Sequence, residues 1–157
     1  MTFAYRIYLD SCCLNRPFDN QAQDRIRLES EAILMLLSRC QSGVWRLITS
    51  DALDLELTQL RDRDRYQQIQ NLLTIAKIRV TYSLQLMDRA VYLQGLGIDG
   101  FDAVHIASAE LGRADILLTT DDRLCRKAMH LSEQVQITVA NPTIWLAGIL
   151  QEEDSNA

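Results

Sequence analysis

Apolar and polar positions along this chain alternate between two periods. Tyr5–Leu9, Val44–Thr49, Ile78–Tyr82, Ile116–Thr119 and Val135–Val139 are short apolar runs and read as strands. Between them lie longer segments with apolar residues near helical spacing. In Asp24–Ser42, residues Ile26, Ile33, Leu36 and Leu37 share a face, and Ser42-Gly43 supplies the stop. Asp51–Arg61 reads as a helix capped by Ser50 or Asp51. Further helices are predicted over Tyr66–Ile75, Leu84–Gln94, Phe101–Leu111 and Asp121–His130. The last, Pro142–Leu150, carries proline in its first turn. The stretch Arg61–Arg65 alternates in sign and reads as a solvated turn or a helix start. Strands alternating with helices predict an α/β fold, with helices on both faces of a parallel sheet.

A length of 157 residues fits one domain, over 1–150, with a polar tail at 151–157 that is expected to fray. No apolar stretch reaches the ~18 residues of a membrane span, and Met1–Asp10 reads as a first strand, not a signal peptide. The expected location is the cytoplasm. Cys12, Cys13, Cys40 and Cys125 form no C-x-x-C pair and only two histidines are present, so a zinc site is not expected. Reduced, buried thiols are. The net charge of −5 argues against a protein that simply coats a nucleic acid. It leaves room for a nuclease, because clustered metal-binding carboxylates are themselves negative, and for a basic protein partner.

The candidate chemistry lies in four acidic residues. Asp10 ends the apolar run Phe3–Leu9, and Asp121 follows Ile116–Leu118 by two threonines. Ligands of parallel sheets sit outside the carboxyl ends of the strands, where both aspartates fall. Buried carboxylates need a cationic partner, and a divalent metal with oxygen preference serves several at once. Asp102 sits in the first turn of its helix, where Asp99 could cap and Asp102 complete a capping-box variant; alanines 103, 107 and 109 would let that helix pack closely. Asp121 and Asp122 open another helix, and either could cap it, leaving the other free for chemistry. Glu56 borders the face formed by Leu53, Leu57 and Leu60, with Asp54 competing for its role. His105, one turn after Asp102, could neighbour the site, but a packed, hydrogen-bonded histidine is the favoured expectation.

Four stretches carry a family resemblance. Tyr8-Leu9-Asp10-Ser11 resembles the first motif of PIN domains, and Ser50–Leu57 is similar to their second, a serine followed by a helix bearing a glutamate. Asp102–Ala109 resembles the third, and Leu117–Leu124 the fourth. Order and spacing fit over nearly the whole chain. The resemblance implies a three-layer α/β/α sandwich with a central parallel sheet and Mg²⁺- or Mn²⁺-dependent cleavage of single-stranded RNA. It carries over Asp10, Glu56, Asp102 and Asp121 as the catalytic, metal-holding residues. It also implies a homodimer and, for a small bacterial member, the toxin of a VapBC-type toxin–antitoxin pair whose antitoxin blocks the site. Ser11 stands where threonine is frequent, and both offer a hydroxyl. The segment Cys12–Asp19 is richer than usual for the family and receives no function.

Supporting roles are expected for Ser11, Thr119 and Asp122, with Ser11 and Thr119 hydrogen-bonding the cluster. Arg16, Arg123, Arg126 and Lys127 lie near the predicted rim and could meet phosphates. Arg61, Arg63 and Arg65 alternate with Asp62 and Asp64, so mutual compensation is expected there. Trp45 and Trp145 are assigned to the core. Two rival readings are a receiver-like phosphoacceptor, which needs a lysine near a late strand end, and a non-catalytic interaction module.

Overall fold

Five short strands form one sheet in the computed structural model, which describes residues 4–156. They are β1 (Arg6–Leu9), β2 (Arg46–Ser50), β3 (Ile78–Val80), β4 (Ile116–Leu118) and β5 (Thr138–Ala140). The order is β3-β2-β1-β4-β5 and every pairing is parallel. Tyr8, for example, stands opposite Ile48 on one side and Leu117 on the other. Ile7, Tyr8, Leu9, Leu47, Ile48, Leu117 and Leu118 are fully buried. A parallel sheet covered on both faces requires such unbroken apolar strands. Phe3, at the start of the first apolar run, and Ala157 lie outside the described residues.

The helices are α1 (Ser11–Asn15), α2 (Asp24–Gln41), α3 (Asp51–Leu57), α4 (Arg63–Leu73), α5 (Leu84–Gly95), α6 (Gly100–Leu111), α7 (Asp122–His130) and α8 (Pro142–Ser155). A 3₁₀ turn, Arg16–Phe18, follows α1. Helices α2 and α8 pack together, as do α3, α5 and α6, which gives the expected three-layer α/β/α sandwich. Gly112 closes α6 for a packing reason. A Cβ there would stand 2.9 Å from Val80 Cγ2 and 3.3 Å from Ile48 Cγ2, so only glycine lets this end of α6 lie so close to β2 and β3.

Several boundaries differ from the sequence reading. Asp62 caps α4 by accepting from Arg65 N, so the charged stretch is a helix start. Arg65 does not pair with its acidic neighbours. It bonds Asp19, Asn15 and the Phe18 carbonyl, and thereby holds the segment after α1. Strand β5 begins at Thr138, not Val135, because Gln136 N is engaged by Glu110 and the Gln134 carbonyl by Arg89. The final helix runs on to Ser155, where a frayed tail was expected: Glu153 takes both nitrogens of Arg39, and that guanidinium also covers the Trp45 ring. Trp45 is buried and stacks edge-on with Trp145.

Candidate active site

The sheet order reverses between β1 and β4. From β1 the chain moves outward through β2 and β3, then returns to add β4 and β5 on the other side. Parallel sheets leave a crevice at this point, outside the carboxyl ends of the strands. Asp10 leaves β1 there and Thr119 leaves β4 there, and a hydrogen bond from Asp10 N to the Leu118 carbonyl (3.0 Å) fixes the two ends in register.

Asp10 is buried and caps α1, its Oδ1 accepting from Ser11 N at 2.7 Å. Its Oδ2 accepts from the Thr119 hydroxyl at 3.0 Å, with the Cys12 thiol 3.5 Å away. Thr119 Oγ1 also accepts from Asp121 N at 3.1 Å. The cap therefore does not compete with a site role for Asp10; it orients the carboxylate.

Glu56 reaches the same place from the last turn of α3. Its Oε1 lies 3.0 Å from His105 Nε2, which is 3.8 Å from Asp10 Oδ1. Burial by itself would lift the Glu56 carboxyl. Hydrogen bonds from His105 and from the Ser11 hydroxyl overcome that and hold it below its ordinary value. For His105 the balance is mirrored. Burial pulls the imidazole down, and the Glu56 hydrogen bond with the charges of Asp10, Glu56 and Asp102 brings it above its ordinary value. One ligand atom from each of Asp10, Glu56 and His105 falls within 4.8 Å of the others. Clustered carboxylate oxygens suit Mg²⁺ or Mn²⁺.

Asp102, in the first turn of α6, stands beside them. Burial and the charges of Asp10 and Asp121 push its carboxyl up to about 6. Burial makes the larger contribution and the neighbouring negative charges add to it. Asp99 holds the N-cap position of α6 with no side-chain bond. Asp102 and Asp121 line a cleft of about 240 Å³ together with Ile98, Asp99, Arg123, Leu124 and Lys127. Asp121 caps α7, and both cap bonds go to Oδ1.

Other sequence candidates lie farther out. Asp122 turns from the cluster and takes two bonds from Arg25 (2.8 and 2.9 Å). Arg16 is committed to Glu29 and Asp19. Arg123 lines the acidic cleft, and Arg126 lies on an adjoining hollow with Arg123, Lys127 and His130. These four sit at i, i+3, i+4 and i+7 on α7, a basic face on an acidic protein.

The sequence reading allows His105 to neighbour the site but favours a packed histidine, and it gives Tyr8 and Cys12 no site role. The His105 ring is packed and hydrogen-bonded as expected, but its partners belong to the site. The spacing points there: His105 follows Asp102 by three residues and so shares its helical face. Tyr8 precedes Asp10 by two and so points to the same side of β1. Its hydroxyl lies 2.7 Å from both His105 Nδ1 and Ser50 Oγ. All four cysteines are free. Cys13 and Cys40 are buried, while half-buried Cys12 lies against Asp10, Thr119 and Thr120 N.

No family model matches the sequence, and no curated protein does. The fold has a counterpart among solved structures. A chain in the crystal structure of VapBC2 from Rickettsia felis, bound to a DNA fragment from their promoter, superposes with a TM-score of 0.53 at 13% identity. The match covers 87% of this chain and 98% of that one. The architecture is PIN-like. Among the described residues, no helix is long and apolar enough to cross a membrane.

Proposed function

We propose that this protein is a metal-dependent endoribonuclease that hydrolyses phosphodiester bonds of single-stranded RNA, and that it serves as the toxin of a toxin–antitoxin pair. The observation that carries the reading is the convergence of Asp10, Glu56 and His105 within 4.8 Å, beside Asp102 and Asp121, at the reversal point of the sheet. Carboxylates brought together this closely, one of them pushed up to about 6, call for a cation. The donor set fits Mg²⁺ or Mn²⁺. When bound, such an ion supplies charge neutralisation and Lewis acidity for phosphodiester hydrolysis.

The chain's own residues divide the remaining work. Asp10, Asp102 and Asp121 hold the ion directly or through water, and Glu56 supports it or orients the attacking water. Ser11 and Thr119 fix the carboxylates by donating to Glu56 and Asp10. Arg123 and Arg126, with Lys127, take the RNA phosphates. The chemistry favours this reading over a receiver-like phosphoacceptor: Lys127 stands in α7, not at a strand end, and its Nζ donates to the Gly97 carbonyl at 2.6 Å.

A protein partner fits the surface. Leu84, Met87 and Val91 are exposed at i, i+3 and i+7 on α5, an apolar stripe of the kind that marks an interface. An antitoxin and a second copy of the chain are the partners proposed, with the antitoxin placing a basic group toward the acidic cleft.

The test is cleavage of single-stranded RNA in Mg²⁺ or Mn²⁺ by wild type and Asp10→Asn. Cleavage by the wild type and none by the variant, with unchanged circular dichroism, is expected. Cleavage undiminished in the variant, or absent from the wild type with either metal, overturns the proposal.

A further inference from the structure

His105 is buried in the site, and a reading built on four carboxylates leaves it without work. Its Nε2 lies 3.0 Å from Glu56 Oε1 and 3.8 Å from Asp10 Oδ1, and its Nδ1 lies 2.7 Å from the Tyr8 hydroxyl. That hydroxyl is 2.7 Å from Ser50 Oγ, which accepts from Leu53 N at 3.1 Å. For a neutral ring the geometry admits two opposite placements of the hydrogens. In one, His105 Nε2 offers a lone pair to an ion. In the other, it offers an N–H to Glu56.

The Glu56 carboxylate, which can only accept, decides between them. Leu53 N–H can only donate. From it runs an order in which every hydroxyl accepts once and donates once. Leu53 N–H donates to Ser50 Oγ, the Ser50 hydroxyl to Tyr8 Oη, the Tyr8 hydroxyl to His105 Nδ1, and His105 Nε2–H to Glu56 Oε1. Were Nδ1 to carry the hydrogen of a neutral ring, Nε2 would face Glu56 Oε1 at 3.0 Å as one acceptor against another, with no hydrogen between them.

We propose that His105 is a positioning residue for the nuclease centre: it donates from Nε2 to Glu56, with Tyr8 and Ser50 fixing the ring's tautomer, and it is not a ligand of the ion. The inference rests on the reading of Asp10, Glu56, Asp102 and Asp121 as a metal site. Both ends of the chain of hydrogen bonds lie on α3, Ser50 as its N-cap and Glu56 near its last turn. Tyr8 brings in β1 and His105 brings in α6. The glutamate, a side chain with several free torsions, is thereby tied to two other elements and held facing Asp10. Hydrogen-bond partners that orient metal ligands typically carry about 10–100-fold in metal affinity or activity.

¹⁵N NMR of the His105 imidazole in the wild-type protein, in Mg²⁺ and in EDTA, reads the hydrogen placement directly. A proton-bearing Nε2 in both conditions is expected. An Nδ1–H neutral ring, or loss of the Nε2 hydrogen on adding Mg²⁺, overturns the proposal. Two variants carry it to function. His105→Gln keeps an N–H donor and His105→Phe keeps only ring volume. Calorimetric titration with Mg²⁺ and RNA cleavage should show about 10–100-fold weaker Mg²⁺ dependence in the phenylalanine variant. KM for RNA should be unchanged, with substantial recovery in the glutamine variant. Equal impairment of both variants, or none in either, overturns it. Should His105→Phe fail to fold, Tyr8→Phe replaces it: loss of the single tautomer is expected, and an unaltered imidazole spectrum overturns the proposal. Absence of RNA cleavage by the wild type would remove the ribonuclease reading, while the NMR and Mg²⁺ titration would still decide the role of His105.

Discussion

The Thr119 hydroxyl donates to Asp10 Oδ2 at 3.0 Å across 109 positions of sequence, and in turn accepts from Asp121 N. One side chain thus links the carboxyl ends of β1 and β4 and places two of the acidic residues relative to each other. Thr119→Val keeps the shape and removes both bonds and the contact with the Cys12 thiol, in a fully buried position. A loss of about 1–3 kcal/mol is expected in urea denaturation. Weaker Mg²⁺ stabilisation of the variant should accompany it, read from the shift in melting midpoint.

Asp102 predicts a pH dependence. Its carboxyl, lifted to about 6 from an ordinary 3.8, holds its proton in the folded protein over a range where the unfolded chain has released it. The folded state binds more protons there, so this group's contribution falls as pH rises across that window. In metal-free protein, Asp102→Asn should gain stability over wild type as pH rises from about 4 to 6, then stay level above it. Parallel urea titrations in EDTA measure the difference. In wild type, the stabilisation by Mg²⁺ should grow over the same range, because the ion competes with the Asp102 proton.

Glu29 anchors the unassigned segment before α2. It is buried and takes bonds from Arg16 (2.8 Å), Arg25 (3.2 Å) and Asn141 (2.6 Å). Removing it strands these donors, one of them on a guanidinium half open to water. Glu29→Ala should cost roughly 2–4 kcal/mol. Proteolysis should then cut first near the Arg16–Phe18 turn, which limited digestion with mass spectrometry will locate.

Arg126 tests the basic face of α7. It stands away from the acidic centre, on the hollow that adjoins the cleft. Arg126→Gln should raise KM for RNA several-fold and leave kcat nearly unchanged. It should also reduce the slope of log affinity against log salt by about 0.7, the value for one phosphate contact on a single strand. A fall in kcat with unchanged KM would instead place Arg126 in the chemical step.

The sequence by itself determined the elements and the rim on which the chemistry sits. Strand and helix periods are local properties, set by which side of a short segment must leave water. They gave the alternation of strands and helices, and they set Asp10 and Thr119 just past strand ends. Errors at this level have local causes with distant partners: β5 starts late because Glu110 and Arg89 claim residues 134–136, and α8 is extended by Arg39. Tertiary structure alone decided which candidates meet. Asp121 faces Asp102 while its neighbour Asp122 turns to Arg25, 97 residues away, and no local pattern distinguishes two adjacent aspartates. Glu56 enters the site because α3 packs on α6, and His105 acquires partners from β1 and α3 only once all three elements are assembled. Side-chain partners far apart in sequence depend on strand order and layer packing, which the chain sets only by folding as a whole.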